Sequence, residues 1–431
     1  MPAMLSLRRL AAICAVASLV FAVGCTDDSF FSYNGATNSG NFSTTVFLGD
    51  SYTAGVQNGS LCDKFQPNSW PAIVAKQAGF TIAQPLIASP GVAAYTTLAT
   101  GTYTVPTNFA AFYNSYPTAL STTSGTTTGR DSSTATTIPT VLAFNDATLH
   151  DIINTKPVTS PSTTKQIAAA YVLGTPLSGQ TQMTQAIAEN PTTIFLWAGV
   201  ADAMLADTGN GTVAGSAAMT GQTSFDNDYT TLLTDITAVN NAHIVILNIP
   251  DVTALPFMTK GSDISTAYGS SALTKLGIAS GDLVNAVGVK QIPTLLSGPT
   301  VMPSYYVIRA ADIATVQTNI SNYNFAITTL AAEIGATVID MNLAYSTWQT
   351  TPPTVTISGT TYTPTFGYLG GLFSTDGIHP TNTFQAIIAN RILAALNTKL
   401  GTSITTLTGT NIGAIAAADP LFTTNIGKIA F

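Results

Sequence analysis

Charge is what this sequence has least of. Only 8% of its 431 residues are Asp, Glu, Lys or Arg, against ~25% in ordinary soluble domains. With 45% hydrophobic residues, the chain is far from the charged, apolar-poor composition of disorder. Its polar surface must be built from Thr, Ser, Asn and Gln. The scarce charges lean acidic, 14 Lys+Arg against 21 Asp+Glu. That leaves no basic stripe for a nucleic acid. Histidine and cysteine are equally sparse, three of each, with no clustering that would suit zinc. Cys14 lies in the N-terminal apolar run and Cys25 closes it, which leaves Cys62 alone. A single thiol cannot form a disulfide within the mature domain and reads as a small buried hydrophobe. No cofactor or metal is expected.

The N-terminus carries two arginines, Arg8 and Arg9, then an apolar run from Leu10 to Val23 that ends at Gly24-Cys25. This is the pattern of a secretory signal, too short for a spanning helix. "AVGC" resembles a bacterial lipobox, with Ala22 where Leu is usual, and implies lipidation of Cys25. Thr26 in place of Asp after the Cys points by that resemblance to the outer membrane. The alternative is a soluble periplasmic or secreted protein cut nearby. Residues 1–25 are thus read as a signal and 26–43 as a Gly/Asn/Ser-rich tether.

Strand-like runs then recur at Thr44–Asp50, Ile82–Ala88, Thr193–Gly199, His243–Ile249 and Thr337–Met341. Helical patterns lie between them. "SWPAIVAKQAG" (Ser69–Gly79) has a capping Ser, a first-turn Pro and a terminal Gly. Asp226–Asn240, Val316–Gly335 and Thr381–Gly401 read as further helices. Five strands alternating with helices predict a parallel sheet covered on both faces. Two insertions interrupt the rhythm, at about 97–165, where the Thr/Ser-rich stretch suits a mobile loop or lid edge, and at about 252–310. The tail 401–431 is expected to pack on the domain.

Candidate chemistry sits at both ends of this pattern. "FLGDSYTAG" (Phe47–Gly55) places Ser51 at the carboxyl end of the first strand, where α/β folds gather reactive groups. "FSTDGIHPTN" (Phe373–Asn382) places Asp376 and His379 three residues apart, just before the last helix. A carboxylate fixes the histidine tautomer and stabilises its cation, and the histidine takes a proton from the nucleophile. Neither His150 nor His243 has a carboxylate at such spacing in a turn. Each residue has a plainer role open to it: Ser51 as a helix cap, Asp376 and His379 as a surface turn.

Together the two blocks resemble the GDSL, or SGNH, hydrolases, with Tyr52 where that family usually has Leu and Phe384 where it commonly has Gly. The resemblance implies a flavodoxin-like three-layer α/β/α sandwich with a five-stranded parallel sheet over residues ~44–400. It implies ester hydrolysis with Ser51 as nucleophile, His379 as base and then acid, and Asp376 as orienting acid. The family's oxyanion hole uses the nucleophile's N–H, a Gly N–H and an Asn side chain. "IASPGVAAY" (Ile87–Tyr95) offers Gly91 for the second donor. "LWAGVADAM" (Leu196–Met204) departs from the pattern, because Ala201 stands where the Asn belongs. Asn58 or Gln57 could substitute for it. Asp202 reads as structural, Trp197 as core and Tyr52 as a candidate wall of the acyl pocket. The expected partner is an acyl-ester substrate, the expected state a monomer. The alternatives are a catalytically degenerate lipid- or glycan-binding lipoprotein, or a carbohydrate O-acetyl esterase.

Overall fold

A computed structural model describes residues 40–93, 96–98, 102–103, 106–115, 120–122, 129–174, 179–209, 211–239, 241–425 and 429–430. All lie in one compact unit, residues 38–431. The signal and lipidation readings, Cys25 included, fall outside the described residues.

Four strands form the central sheet: β1 Thr45–Gly49, β2 Thr193–Trp197, β3 His243–Leu247 and β4 Thr337–Ile339, all parallel and side by side in that order. Residues of β1 and β2 are buried along their whole length. That requires cover on both faces, which explains why these runs are apolar throughout rather than alternating. On one face Phe47 stacks on its register partner Phe195 with centroids 4.9 Å apart. Trp70 meets Phe47 edge-on at 5.4 Å. Trp70 opens α2, Trp70–Ala78, which Gly79 ends in a left-handed conformation. The Trp70 N–H donates to Gln385 Oε1 at 2.9 Å. That bond ties α2 to the last long helix of the sandwich, α9, Asn382–Leu400, capped by Thr381 and Gly401.

The remaining labelled helices, in chain order, are α1 Ser51–Ala54, α3 Leu149–Asn154, α4 Gln182–Ala188, α5 Val200–Thr208, α6 Gln222–Val239, α7 Ala310–Glu333 and α8 Met341–Thr350.

The second of the five predicted strands, Ile82–Ala88, does not form. Pro85 interrupts it and can donate nothing to a ladder, and Ile87 makes only an isolated antiparallel bridge to Arg130. The position beside β1 is taken by Val141, in parallel register with Phe47. The Phe47 N–H donates to Thr140 O at 2.8 Å, and the Leu142 N–H to Phe47 O at 2.9 Å. Val141 to Phe144 are buried, so this part of the first insertion lies against the sheet, while much of the Thr/Ser-rich stretch expected as a lid edge, 123–128 included, lies outside the described residues. The Arg130 guanidinium also anchors the Thr/Ser-rich stretch, donating to the carbonyls of Tyr171, Val172 and Thr137.

The end of the expected tether is likewise docked. Phe42 stacks on Phe80 at 5.3 Å, and Asn41 O accepts from Thr193 Oγ1. The second insertion builds a small antiparallel sheet, Met258–Lys260, Leu283–Asn285 and Val307–Ile308, with helices around it. The tail forms helices Gly409–Ala418 and Pro420–Asn425. Asp419 fixes the tail to α9 by accepting from the Thr383 N–H and hydroxyl.

Candidate active site

β1 ends at Gly49, whose φ of +151° and close approach to the Trp197 carbonyl leave no room for a Cβ. Asp50 then caps α1. One of its oxygens accepts the Tyr52 N–H at 3.0 Å and the other the Ala201 N–H at 3.1 Å. A single carboxyl group therefore joins the turn that carries Ser51 to the start of α5. Burial pushes this carboxyl up to about 7, against the pull of those two N–H donors. Ser51 is the first residue of α1, where no intrahelical acceptor exists for its N–H.

The loop 373–381 meets this turn from the other end of the chain. His379 Nδ1 lies 2.8 Å from Asp376 Oδ2, and Asp376 Oδ1 accepts the Ile378 and His379 N–H groups. The Gly59 N–H donates to Asp376 Oδ2 at 2.7 Å. Gly377, with φ +73°, makes the turn, and a Cβ there would lie 2.8 Å from the Phe257 nitrogen. The Phe257 N–H in turn donates to Gly377 O, so the second insertion holds the loop from outside. Burial disfavours ionisation of Asp376, yet His379 and the N–H donors hold its carboxyl below the usual range. Burial also works against the His379 cation, and Asp376, with Asp146 and Asp50 beyond it, overcomes this and raises His379 above its ordinary value.

Tyr52 links the two loops. Its hydroxyl donates to Ile378 O at 2.8 Å, and its ring lies 5.8 Å from the His379 ring. It is fully buried against Trp197, so it braces the histidine instead of lining an acyl pocket. Trp197 is core, as expected.

The third approach to Ser51 comes from the segment after Phe144. The Asp146 N–H donates to Ser51 Oγ at 2.9 Å, and Asp146 Oδ1 lies 3.4 Å from the same oxygen. Asp146 is exposed and has φ +55°, a conformation tolerated by Asp and Asn. Asp202, at the start of α5, accepts the Leu149 N–H at 2.7 Å and the Thr220 hydroxyl. It thereby pins the first turn of α3 and, with it, the Asp146 loop. This is the structural role read for it from the sequence. Burial pushes Asp202 up to about 6 despite those donors.

Two sequence assignments are corrected here. The Gly91 N–H is donated to Ala88 O in a turn, and Gly91 packs over Ser60–Cys62; the backbone N–H beside Ser51 belongs to Asp146. Gln57 and Asn58 do not replace the missing amide donor. Gln57 Nε2 donates to Pro380 O, and Asn58 Oδ1 accepts from Thr375, so both clamp the histidine loop. Position 201 carries only a methyl group. Asp146 escaped the sequence reading, although "AFNDATLHD" does place an Asn-Asp turn signal straight after an apolar run. Among the described residues no group of His, Cys, Asp and Glu is arranged to hold a metal. No described helix is long and apolar enough to cross a membrane.

The site therefore sets a carboxylate–imidazole pair, tied to the Ser51 turn through Tyr52, against a serine at a helix start whose hydroxyl oxygen accepts one backbone N–H, that of Asp146, and bonds to Asp146 rather than to His379. A serine, an imidazole and a carboxylate so grouped are the parts that activate a hydroxyl toward a carbonyl carbon. Residues 45–392 match the family model described as GDSL-like Lipase/Acylhydrolase. No curated protein matches the sequence. Solved structures to which the chain is similar include phospholipase A1 from Streptomyces albidoflavus NA297, at 14% identity and TM-score 0.37, covering 83% of this chain and 100% of that one. A lipase/acylhydrolase from Enterococcus faecalis is 10% identical at TM-score 0.36, with 84% and 100% covered. An extracellular lipase from Streptomyces rimosus is 14% identical at TM-score 0.35, with 83% and 99% covered.

Proposed function

We propose that this chain, which belongs to the GDSL-like lipase/acylhydrolase family, hydrolyses carboxylic esters with Ser51 as its nucleophile. The observation that carries the reading is the Asp376–His379 pair, 2.8 Å apart and held to the Ser51 turn through the Tyr52 hydroxyl. Ser51 Oγ attacks the ester carbonyl carbon while His379 takes its proton. The N–H groups of Ser51 and Asp146 receive the oxyanion. Collapse expels the alcohol, which takes the proton from His379, and leaves an acyl group on Ser51. A water, deprotonated by His379, then releases the acid. Two backbone donors without a side-chain amide at 201 support slower turnover than three would.

Acyl esters of lipids are the favoured substrates, a reading supported by the apolar, Thr-rich insertions, which suit a lipid-facing mouth, and by the lipobox-like sequence ending at Cys25, which supports an anchor at the cell envelope. Radiolabelled palmitate incorporation that persists in Cys25→Ala would refute the anchor. The catalytic reading is tested by a fluorophosphonate probe on the folded protein. Covalent labelling lost in Ser51→Ala supports it. A folded wild type that takes no label overturns it in favour of a binding lipoprotein, a reading that the Ser51–Asp146 contact in place of a Ser51–His379 bond would then explain.

A further inference from the structure

The carboxylate at Ser51 is the least expected group in this site. A developing oxyanion needs positive partial charge around it, and here Asp146 Oδ1 lies 3.4 Å from the attacking oxygen. Among the described residues Asp146 makes no ion pair with Lys or Arg, those of Lys165 and Arg309 being with Asp151 and Asp282 elsewhere in the fold; the cation its charge acts on is the His379 imidazolium. The neighbours whose charges act on His379 are likewise acids, Asp376, Asp146 and Asp50. With Ala201 in place of an amide donor, the site has lost one neutral aid to the oxyanion and gained a negative charge beside it. Both departures weaken stabilisation of the oxyanion formed from a neutral ester. A substrate that brings its own positive charge reverses the second, because its cation pairs with Asp146 and offsets the charge that opposes the oxyanion.

We propose that Asp146 is a specificity-determining residue that selects esters bearing a cationic group, such as a quaternary ammonium, a few bonds from the scissile carbonyl. This deepens the hydrolase reading and rests on it. Asp146 is exposed, so an incoming cation reaches it without a rearrangement of the core. Its backbone N–H stays on the Ser51 side whatever the side chain does, so charge selection and oxyanion donation come from one residue through different atoms.

The test uses two esters of one shape, acetylcholine and 3,3-dimethylbutyl acetate, which differ by a single charge. Wild type is expected to favour the cationic ester in kcat/KM by ~10-fold or more at low salt, with the preference shrinking as ionic strength rises. Asp146→Asn keeps the N–H and tolerates the same φ. It is expected to bring the ratio close to one, chiefly by hydrolysing the neutral ester faster. A second readout needs no turnover of either ester. Choline is expected to protect Ser51 of wild type from the fluorophosphonate better than 3,3-dimethylbutanol does, and to lose that advantage in Asp146→Asn. Equal rates and equal protection in wild type, or a preference retained in Asp146→Asn, overturn the proposal while the labelled Ser51 leaves the hydrolase reading standing. A folded wild type that takes no label overturns both.

Discussion

Replacing Ala201 by Asn should accelerate acylation of Ser51 by ~100-fold. The scaffold for a third donor is already in place. The Ala201 N–H is held at 3.1 Å by one oxygen of Asp50, and the other oxygen holds Tyr52, the neighbour of Ser51, at 3.0 Å. A side-chain amide at 201 is therefore added to a position locked to the nucleophile's own turn. One oxyanion donor is worth about 100- to 1000-fold in turnover, or roughly 3–4 kcal/mol. The lower end applies here because the Asp146 carboxylate, 3.4 Å from Ser51 Oγ, competes for the new N–H groups. Asn in place of Ala in the first turn of α5 costs roughly 0.5 kcal/mol of helix propensity, small beside the ~5–15 kcal/mol of a typical domain. The assay is the pre-steady-state burst of p-nitrophenol from p-nitrophenyl acetate, with thermal melting to confirm the fold. A folded Ala201→Asn whose burst rate equals that of wild type would refute the reasoning, since residue 201 would then not reach the oxyanion.

Three further outcomes follow from the same geometry. His379 must be neutral to act as base and its pKa is raised by its acidic neighbours, so kcat/KM should fall as pH drops through a value above the ordinary ~6.5; Asp376→Asn should move that limb down and cut kcat by ~10⁴-fold, as pH–rate profiles of both would show. Asp50 keeps its proton to about 7 in the fold but loses it near 3.8 when unfolded, so its stabilising contribution is complete below the unfolded value and declines by about 4 kcal/mol as pH rises to 7; urea titrations at pH 4 and pH 7 should show Asp50→Asn gaining on wild type across that window, and parallel pH profiles would contradict it. Gly377→Ala sets a Cβ 2.8 Å from the Phe257 nitrogen at φ +73° and should cost ~1–3 kcal/mol, read as a drop in melting temperature together with a loss of kcat, because the strained turn lies between Asp376 and His379.

The sequence by itself determined whatever is written within a few neighbouring residues. Ser51 follows an apolar strand and a Gly-Asp turn, and Asp376 and His379 are close enough in sequence to meet in one loop, as they do at 2.8 Å. Helix limits near Gly79, Thr381 and Gly401 were legible because a capping hydroxyl and a left-handed glycine act on the backbone beside them, whereas the expected Ser69 cap makes no side-chain bond and Pro71 in the first turn marks that start. Tertiary structure decided which segment lies against the nucleophile. Ile82–Ala88 and Val141–Phe144 are both apolar enough to flank β1, and pairing across the chain, not local propensity, gave the place to the second. With it came Asp146, 95 residues from Ser51, as the N–H and the carboxylate at the site, while the Gly91 N–H was left closing a turn on Ala88. Which of two suitable strands docks depends on the summed burial and hydrogen bonding of distant residues, and Pro85 withholds one N–H from the loser. Local patterns carry no record of that competition, so the chemistry at Ser51 was readable and the charge beside it was not.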